Sequence, residues 1–317
     1  MSAPGLDRFF AFRFDLASRA AALSFTSNVT LMLLKFAVGL LTGSIAVLSD
    51  AIDSAEDAVA STFVFLSIRL ASQPADEEHP YGHGKAESIA AAAQALLIAG
   101  GGGYIIFQGV RRLMDGDVEI DTTPGLIALG VTAAVNVAVV MYVGRAARLT
   151  GSSALVADTR HLWTNVAQAA AVIAALSLVA ITGNPIFDPI FALGLAAYLL
   201  WSANQVFAVA LSEIMDMRLP ADEEALVRAC LSQHRDGGAR GYHDLRTRKA
   251  GRQRYIDFHL LVDPQQSVAE AHRLCDSVEA AICECLPGAV VNIHLEPDDG
   301  RAHGSELSTD EENGMGG

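Results

Sequence analysis

The 317-residue sequence is 51% hydrophobic with a mean hydropathy of +0.33, too apolar for an ordinary soluble domain and suited to a polytopic membrane protein with a soluble portion. A formal charge of -14 excludes the basic footprint that nucleic-acid binding requires. The cysteines, Cys230, Cys275, Cys283 and Cys285, all follow the last apolar segment, and no pair has CxxC spacing; this argues against a zinc ribbon or redox motif and predicts reduced thiols in a cytoplasmic domain.

The chain opens on a short basic amphipathic lead-in, residues 1–16, with Arg8, Phe9, Phe10 and Arg13, and Arg19 just beyond. No small-residue cleavage site follows an apolar core, so no signal peptide is expected. The first apolar segment runs from about Ala20 to Leu41 and contains Lys35, placed to snorkel or to pair with an acid inside a bundle. Thr42, Gly43 and Ser44 turn the chain into a second segment, Ile45 to about Ala71, which carries Asp50, Asp53, Glu56 and Asp57. At about 100° per residue Asp50, Asp53 and Asp57 share one helical stripe, with Glu56 at its edge. Carboxylates at membrane depth are costly and mark an ion route by default.

A polar loop follows, from Gln73 to Lys85, holding Asp76, His79 and His83, with Gly82 and Gly84 permitting tight backbone geometry. The third segment spans about Ser88 to Gln108, and Gly100 to Gly103 within it suggest close packing or a bend. An acidic loop (Asp115, Asp117, Glu119, Asp121) leads to a fourth segment near Gly125 to Val143. The fifth runs from Ala154 to Ile181 and the sixth from Ile186 to Ile214. Six stretches of bilayer length predict six transmembrane helices. Arg8, Arg13, Arg19, Arg69, Lys85, Arg145, Arg148 and Arg218 fall on one side and chiefly Arg111 and Arg112 on the other, which predicts both termini, and the histidine loop, in the cytoplasm. A six-helix chain of this kind is expected in a bacterial inner membrane.

After Pro220 the pattern becomes soluble. A helix over Ala221–Gln233, strands over Tyr242–Lys249 and Arg252–Asp263, a helix over Ser267–Leu286 and a strand over Ala289–Glu296 give the order αββαβ, a small ferredoxin-like two-layer α+β domain. It is short for an independent core, which favours dimerisation. Residues 298–317 carry six acids in a Gly- and Ser-containing tail expected to be disordered.

Three constellations could hold a cation. In the fifth segment Asp158, His161 and Asn165 share a helical face. Asp53 and Asp57 with His161 and Asn165 offer three oxygens and one imidazole, a donor set suited to tetrahedral zinc first, with iron, cobalt or manganese behind it. The competing reading is that these acids pair with Lys35 or cap kinks. Asp50 and Asp158 are read equally as ligands or as helix-end or supporting groups, and Glu56 as a packing or supporting acid. The second constellation is Asp76, His79 and His83, against the alternative of a solvated acidic turn. The third lies in the soluble domain. Ile256, Phe258, Leu260 and Val262 make the core face of one strand, and Val291, Ile293 and Leu295 that of another, so His259, His294 and Glu296 point the other way. His243 precedes Leu245 on the first strand, His272 lies on the second helix, and His234 and His303 read as ordinary surface residues.

With Asp-x3-Asp at Asp53 and Asp57, His-x3-Asn at His161 and Asn165, the loop Pro-Ala-Asp-Glu-Glu-His-Pro-Tyr-Gly-His-Gly-Lys-Ala-Glu, and the runs His-Asp-Leu-Arg-Thr-Arg at 243–248 and Asn-Ile-His-Leu-Glu-Pro at 292–297, the chain resembles the cation diffusion facilitator family, in its bacterial iron/zinc efflux branch, over about residues 17–297. The resemblance implies a homodimer that exchanges a divalent cation, Zn2+ or Fe2+, for protons by alternating access, with the same ion as regulator and no organic cofactor. It implies a transport site of Asp53, Asp57, His161 and Asn165, a loop site of Asp76, His79 and His83, and cytoplasmic sites of His243, His259, His272, His294 and Glu296. It places a charge interlock at Lys85 and Asp216. The division is then a lead-in at 1–16, a transmembrane domain at 17–217, a cytoplasmic metal-binding and dimerisation domain at 218–297, and the tail. Two positions depart from the family pattern. Asn165 stands where the zinc branch usually has aspartate, which removes a negative charge and a proton carrier, and Glu296 is a longer carboxylate than the usual aspartate. An intramembrane metalloprotease would want His-Glu-x2-His on a span, and none carries it. A metal-dependent scaffold or sensor is the other rival, to which Asn165 lends weight.

Overall fold

A computed structural model describes residues 4–42, 45–115, 123–184, 186–234 and 238–299. The turn residues Gly43 and Ser44, most of the acidic loop before the fourth segment, His303 and the rest of the tail beyond residue 299 lie outside the described residues, as do the side chains of Asp50 and Asp53. The chain divides into two compact units, Met1–Ile214 and Met215–Gly317.

The first unit is built of six long helices: α1 (Pro4–Thr42), α2 (Ile45–Ala71), α3 (Lys85–Asp115), α4 (Thr123–Thr150), α5 (Ser153–Thr182) and α6 (Phe187–Ile214). Among the described residues four stretches in them, Asp15–Ala37, Lys85–Arg111, Ser153–Val179 and Pro189–Ile214, are long and apolar enough to cross a membrane. The acids of α2 keep it out of that set. α1 begins at Pro4 rather than near Ala20, because no glycine or proline interrupts the chain from Leu6 to Val38 and the basic lead-in continues the helix. α4 likewise runs past Val143 until Gly151, at φ +68, ends it.

Small residues set the helix spacing. Ala17, Ala20 and Ala21 of α1 are fully buried against Val64 and Ile68 of α2, Val140 and Val143 of α4, and Leu155 and Leu162 of α5. A second apolar cluster joins Ala91 and Ala95 of α3 to Ala157 of α5 and Val206 and Ala210 of α6. α5 is therefore common to both halves of the bundle. Of the glycine run, only Gly102 marks a close approach: a Cβ there would meet Leu199 and Leu200 of α6 at 3.3 Å, while Gly100, Gly101 and Gly103 face open space and α3 continues through all four.

The second unit follows the expected αββαβ order: α7 (Ala221–Gln233), β1 (Ala239–Ala250), β2 (Gln253–Val262), α8 (Val268–Cys285) and β3 (Ala289–Pro297). The sheet order is β1-β2-β3, with β1 antiparallel and β3 parallel to β2. The parallel pair requires a crossover, which α8 supplies. Ile256, Phe258 and Leu260 of β2 meet Val278 and Ile282 of α8 and Val227 of α7 in one buried core. Ser267 starts α8 with a capping box: its hydroxyl accepts from the Glu270 backbone N–H, and the Glu270 carboxylate accepts from the Ser267 backbone N–H. The helices cover one face of the sheet and leave the other to polar side chains.

Candidate metal centres

The candidate site within the helical bundle is centred on Asp57. Its Oδ1 lies 2.9 Å from Nε2 of His161, and its Oδ2 accepts from Nδ2 of Asn165, also at 2.9 Å. His161 and Asn165 are one turn apart on α5, and Asp57 faces both from α2. Asn28 of α1 donates to the Asp57 backbone carbonyl at 3.4 Å. Asp53 sits one turn before Asp57 on the same stripe of α2, and its side chain lies outside the described residues. His161 is largely buried, and its Nδ1 has no hydrogen-bond partner. Lys35 donates to Ser54 at 2.9 Å, and Glu56 is exposed on α2 rather than packed.

The loop cluster is held by its backbone. The His79 N–H donates to Asp76 Oδ1 at 2.6 Å, and the Gly82 N–H closes a turn onto the His79 carbonyl at 2.8 Å, with Gly82 at φ +78. That turn brings His79 Nδ1 to 3.2 Å from Asp76 Oδ1 and His83 Nε2 to 3.4 Å from Asp76 Oδ2. One ligand atom from each residue fits within a mutual 4.8 Å. The His79 backbone N–H, more than either imidazole, holds the Asp76 carboxyl below its ordinary range. His83 Nδ1 is buried with no hydrogen-bond partner.

The third site lies on the uncovered face of the sheet. The register sets His243 opposite His259 and His259 beside His294, so three imidazoles form a row across the three strands. Straight alternation would put His243 on the core face with Leu245. A β-bulge prevents this: Asp244 and Leu245 together oppose Phe258, and Asp244 takes φ +52. Glu296, two residues past His294 and on the same face, closes the site. Its Oε2 lies 3.0 Å from His243 Nε2 and its Oε1 2.9 Å from His259 Nδ1, with His294 Nε2 at 3.6 Å. Partial burial works against the Glu296 charge, but the bonds to His243 and His259 outweigh it and lower its pKa. Two imidazoles and a carboxylate within 4.8 Å are a donor set that suits zinc.

His272 is not part of this cluster. It is exposed on α8, 3.9 Å from Asp276, in the layer on the other side of the sheet. His234 turns its Nδ1 to the Cys230 carbonyl. Lys85 donates to the Ile214 carbonyl at 3.2 Å in the first unit, and Asp216 accepts from Arg248 at 3.2 Å in the second. Two groups of buried acids escaped the sequence reading as connected features. Glu87 accepts from the α5 N-cap Ser152, and Glu213 accepts from Ser88 and Ser153. Asp158 is fully buried beside Gln94 of α3. Their signal in the sequence was a polar residue inside or at the edge of an alanine-rich run.

Residues 21–215 match the cation efflux transmembrane domain, and residues 219–298 the cytoplasmic domain of cation efflux proteins. An uncharacterized transporter of Synechocystis sp. is 36% identical over 283 residues, 89% of this chain and 91% of that protein. The cation-efflux pump FieF of Klebsiella pneumoniae is 35% identical over 282 residues, 89% of this chain and 93% of its own. Among solved structures, CzrB in its zinc form is 43% identical over 26% of this chain and 91% of its own, with a TM-score of 0.25. The chain belongs to the cation diffusion facilitator family of cation-efflux transporters, and is of the bacterial zinc/iron efflux type.

Proposed function

We propose that this chain works as a homodimer in a bacterial inner membrane, exporting a divalent cation in exchange for protons, with zinc or iron(II) as cargo. The observation that carries the reading is the Asp57 carboxylate shared between His161 and Asn165 within the apolar helices. Asp53, Asp57, His161 and Asn165 form the transport site. The His161–Asp57 bond holds a proton where a cation would sit, so metal entry expels it and proton entry expels the metal. Imidazole is the natural group to make that exchange near neutral pH. The six helices span the membrane with both termini cytoplasmic; metal enters from the cytoplasm, protons from outside, and the helices rock around the site. Asp76, His79 and His83 hold a loop ion. His243, His259, His294 and Glu296 hold regulatory ions that stabilise the dimer.

A second reading has one observation behind it. Asn165 engages Asp57 as a neutral amide, so the site carries one negative charge fewer than a set with aspartate there, which favours selectivity for a metal other than zinc. The test is flux into sealed proteoliposomes under a pH gradient, with zinc, iron(II), manganese, cobalt and cadmium in turn, for the wild type, Asp57→Ala and Asn165→Asp. Zinc or iron(II) flux that follows the gradient and vanishes in Asp57→Ala is the expected result. Flux indifferent to the gradient removes antiport; flux of another metal alone makes Asn165 a selectivity determinant; no flux until aspartate is restored points to a scaffold or sensor.

A further inference from the structure

Asp158 lies on α5 one turn before His161, and its side chain is fully buried. Its Oδ1 is 3.5 Å from Nε2 of Gln94 on α3, and its Oδ2 has no hydrogen-bond partner. Gln94 is 2% exposed, and its Oε1 also lacks a partner. Ser24 of α1, fully buried, turns its hydroxyl toward the carboxyl as a potential donor. The titratable groups facing Asp158 are His161 on its own helix and Asp57 on α2; α6 adds Val206 and Ala210 beside Ala157. Among the described residues Asp158 shares no hydrogen bond with His161, whose Nε2 goes to Asp57.

Among the described residues, an ionised Asp158 leaves Gln94 Oε1 buried without a donor, and a fully buried carboxylate faced only by the Gln94 amide and the Ser24 hydroxyl as donors. A proton on Asp158 removes the buried charge and supplies the donor that Gln94 Oε1 lacks. With a hydrogen on Oδ2, the acid can donate to Gln94 Oε1 while Gln94 Nε2 donates to Oδ1, so acid and primary amide close into a pair of parallel hydrogen bonds. Loss of that proton reopens the pair, and with it a polar tie between α3 and α5.

We propose that Asp158 and Gln94 form a proton-binding pair of the transport cycle, supplying inside the bundle the titratable carboxyl that Asn165 does not. The pair sits outside the metal's ligand set and takes a proton as its ligand. Proton release on metal binding would then come from two places, the His161–Asp57 bond and the Asp158–Gln94 pair. This role in the cycle rests on the antiport reading, whereas the bound proton itself does not.

The experiment is infrared difference spectroscopy, metal-free minus zinc-loaded, on the full-length protein in lipid. It is paired with a pH-indicator count of protons released per zinc, for the wild type, Asp158→Asn and Gln94→Leu. Asparagine keeps the side-chain shape and can still pair with the glutamine amide, so folding is preserved. The wild type is expected to show a protonated-carboxyl C=O band that is absent in Asp158→Asn and shifted in Gln94→Leu. The proton count is expected to fall by about one in Asp158→Asn while zinc still binds. A band that survives in Asp158→Asn overturns the proposal, and so does an unchanged proton count. If wild-type flux ignores the pH gradient, the antiport reading fails, and the infrared band still decides whether Asp158 binds the proton.

Discussion

Asn165 donates its side-chain amide to Asp57 Oδ2 at 2.9 Å, while the other oxygen of the same carboxylate meets His161. Both carboxylate oxygens are therefore engaged on α5. A cation entering here must break the His161 contact, and it gains the Asn165 oxygen only if the amide rotates. The amide thus positions Asp57 in this state.

That division of roles predicts unequal costs of substitution. Asp57→Ala should abolish flux and weaken intramembrane metal binding by at least the roughly 10–100-fold that loss of a supporting partner costs a metal site. Asn165→Ala should cost less, because the Asp57 and His161 donors remain. Asn165→Asp should bind zinc about tenfold more tightly, which corresponds to about 1.4 kcal/mol from the added charge. Calorimetric zinc titration of the three variants, with the loop and sheet sites disabled, orders them; equal losses in Asp57→Ala and Asn165→Ala would falsify the distinction.

Glu296 makes the apo cytoplasmic unit acid-sensitive. Its folded pKa is depressed by the bonds to His243 and His259, acting against the burial that would raise it. A depressed carboxylate contributes stability that is present above its unfolded pKa, near 4.3, and is lost as pH falls through the lower folded value. Protection factors of the β2 and β3 amides in the full-length apo protein, taken relative to the intrinsic exchange rate at each pH, should fall across that acid window. Glu296→Gln should be less protected at neutral pH and show a flatter dependence below it. An identical acid profile for both proteins would remove Glu296 as the cause.

The bulge at Asp244 is the second feature on which the sheet site depends. Asp244→Val places a β-branched residue at φ +52 and should cost about 1–2 kcal/mol. Asp244→Gly should stay within about 1 kcal/mol of the wild type, because glycine adopts that φ freely. Deleting Asp244 should do more: alternation would carry His243 to the core face and zinc binding at the sheet would be lost. Retained binding there by the deletion variant would show that the bulge does not set the position of His243.

These features divide by how local their cause is. The boundaries of α2 and α7 and the core faces of β2 and β3 were legible because each follows from one periodicity in one segment: Ile256, Phe258 and Leu260 repeat every second residue and are all buried. The pairing of Asp57 with His161 and Asn165 could be anticipated from residue type and helical face. The row of His243, His259 and His294 could not be read in full, because it requires a bulge whose signal is only Asp244 in an unfavourable backbone region. The Asp158–Gln94 approach was hidden for a different reason. It is a contact between two helices 64 residues apart in sequence, and nothing in either segment alone identifies the partner.

The cysteines give a last prediction, which concerns exposure and charge rather than metal. All four are free, and Cys230 of α7 lies with its sulfur against that of Cys285 of α8. Burial, and then the neighbouring Cys285, push the Cys230 thiol up to about 12. Only the thiolate is alkylated, so at pH 8 very little Cys230 is reactive at any instant. Cys285 is exposed at the end of α8. Iodoacetamide at pH 8, read out by mass spectrometry of the peptides, should therefore modify Cys285 well before Cys230. Unfolding should erase the difference by removing both the burial and the neighbour. If Cys230 reacts as fast as Cys285 in the folded protein, α7 does not pack on α8 as described, and the buried core that supports the histidine face would have to be redrawn.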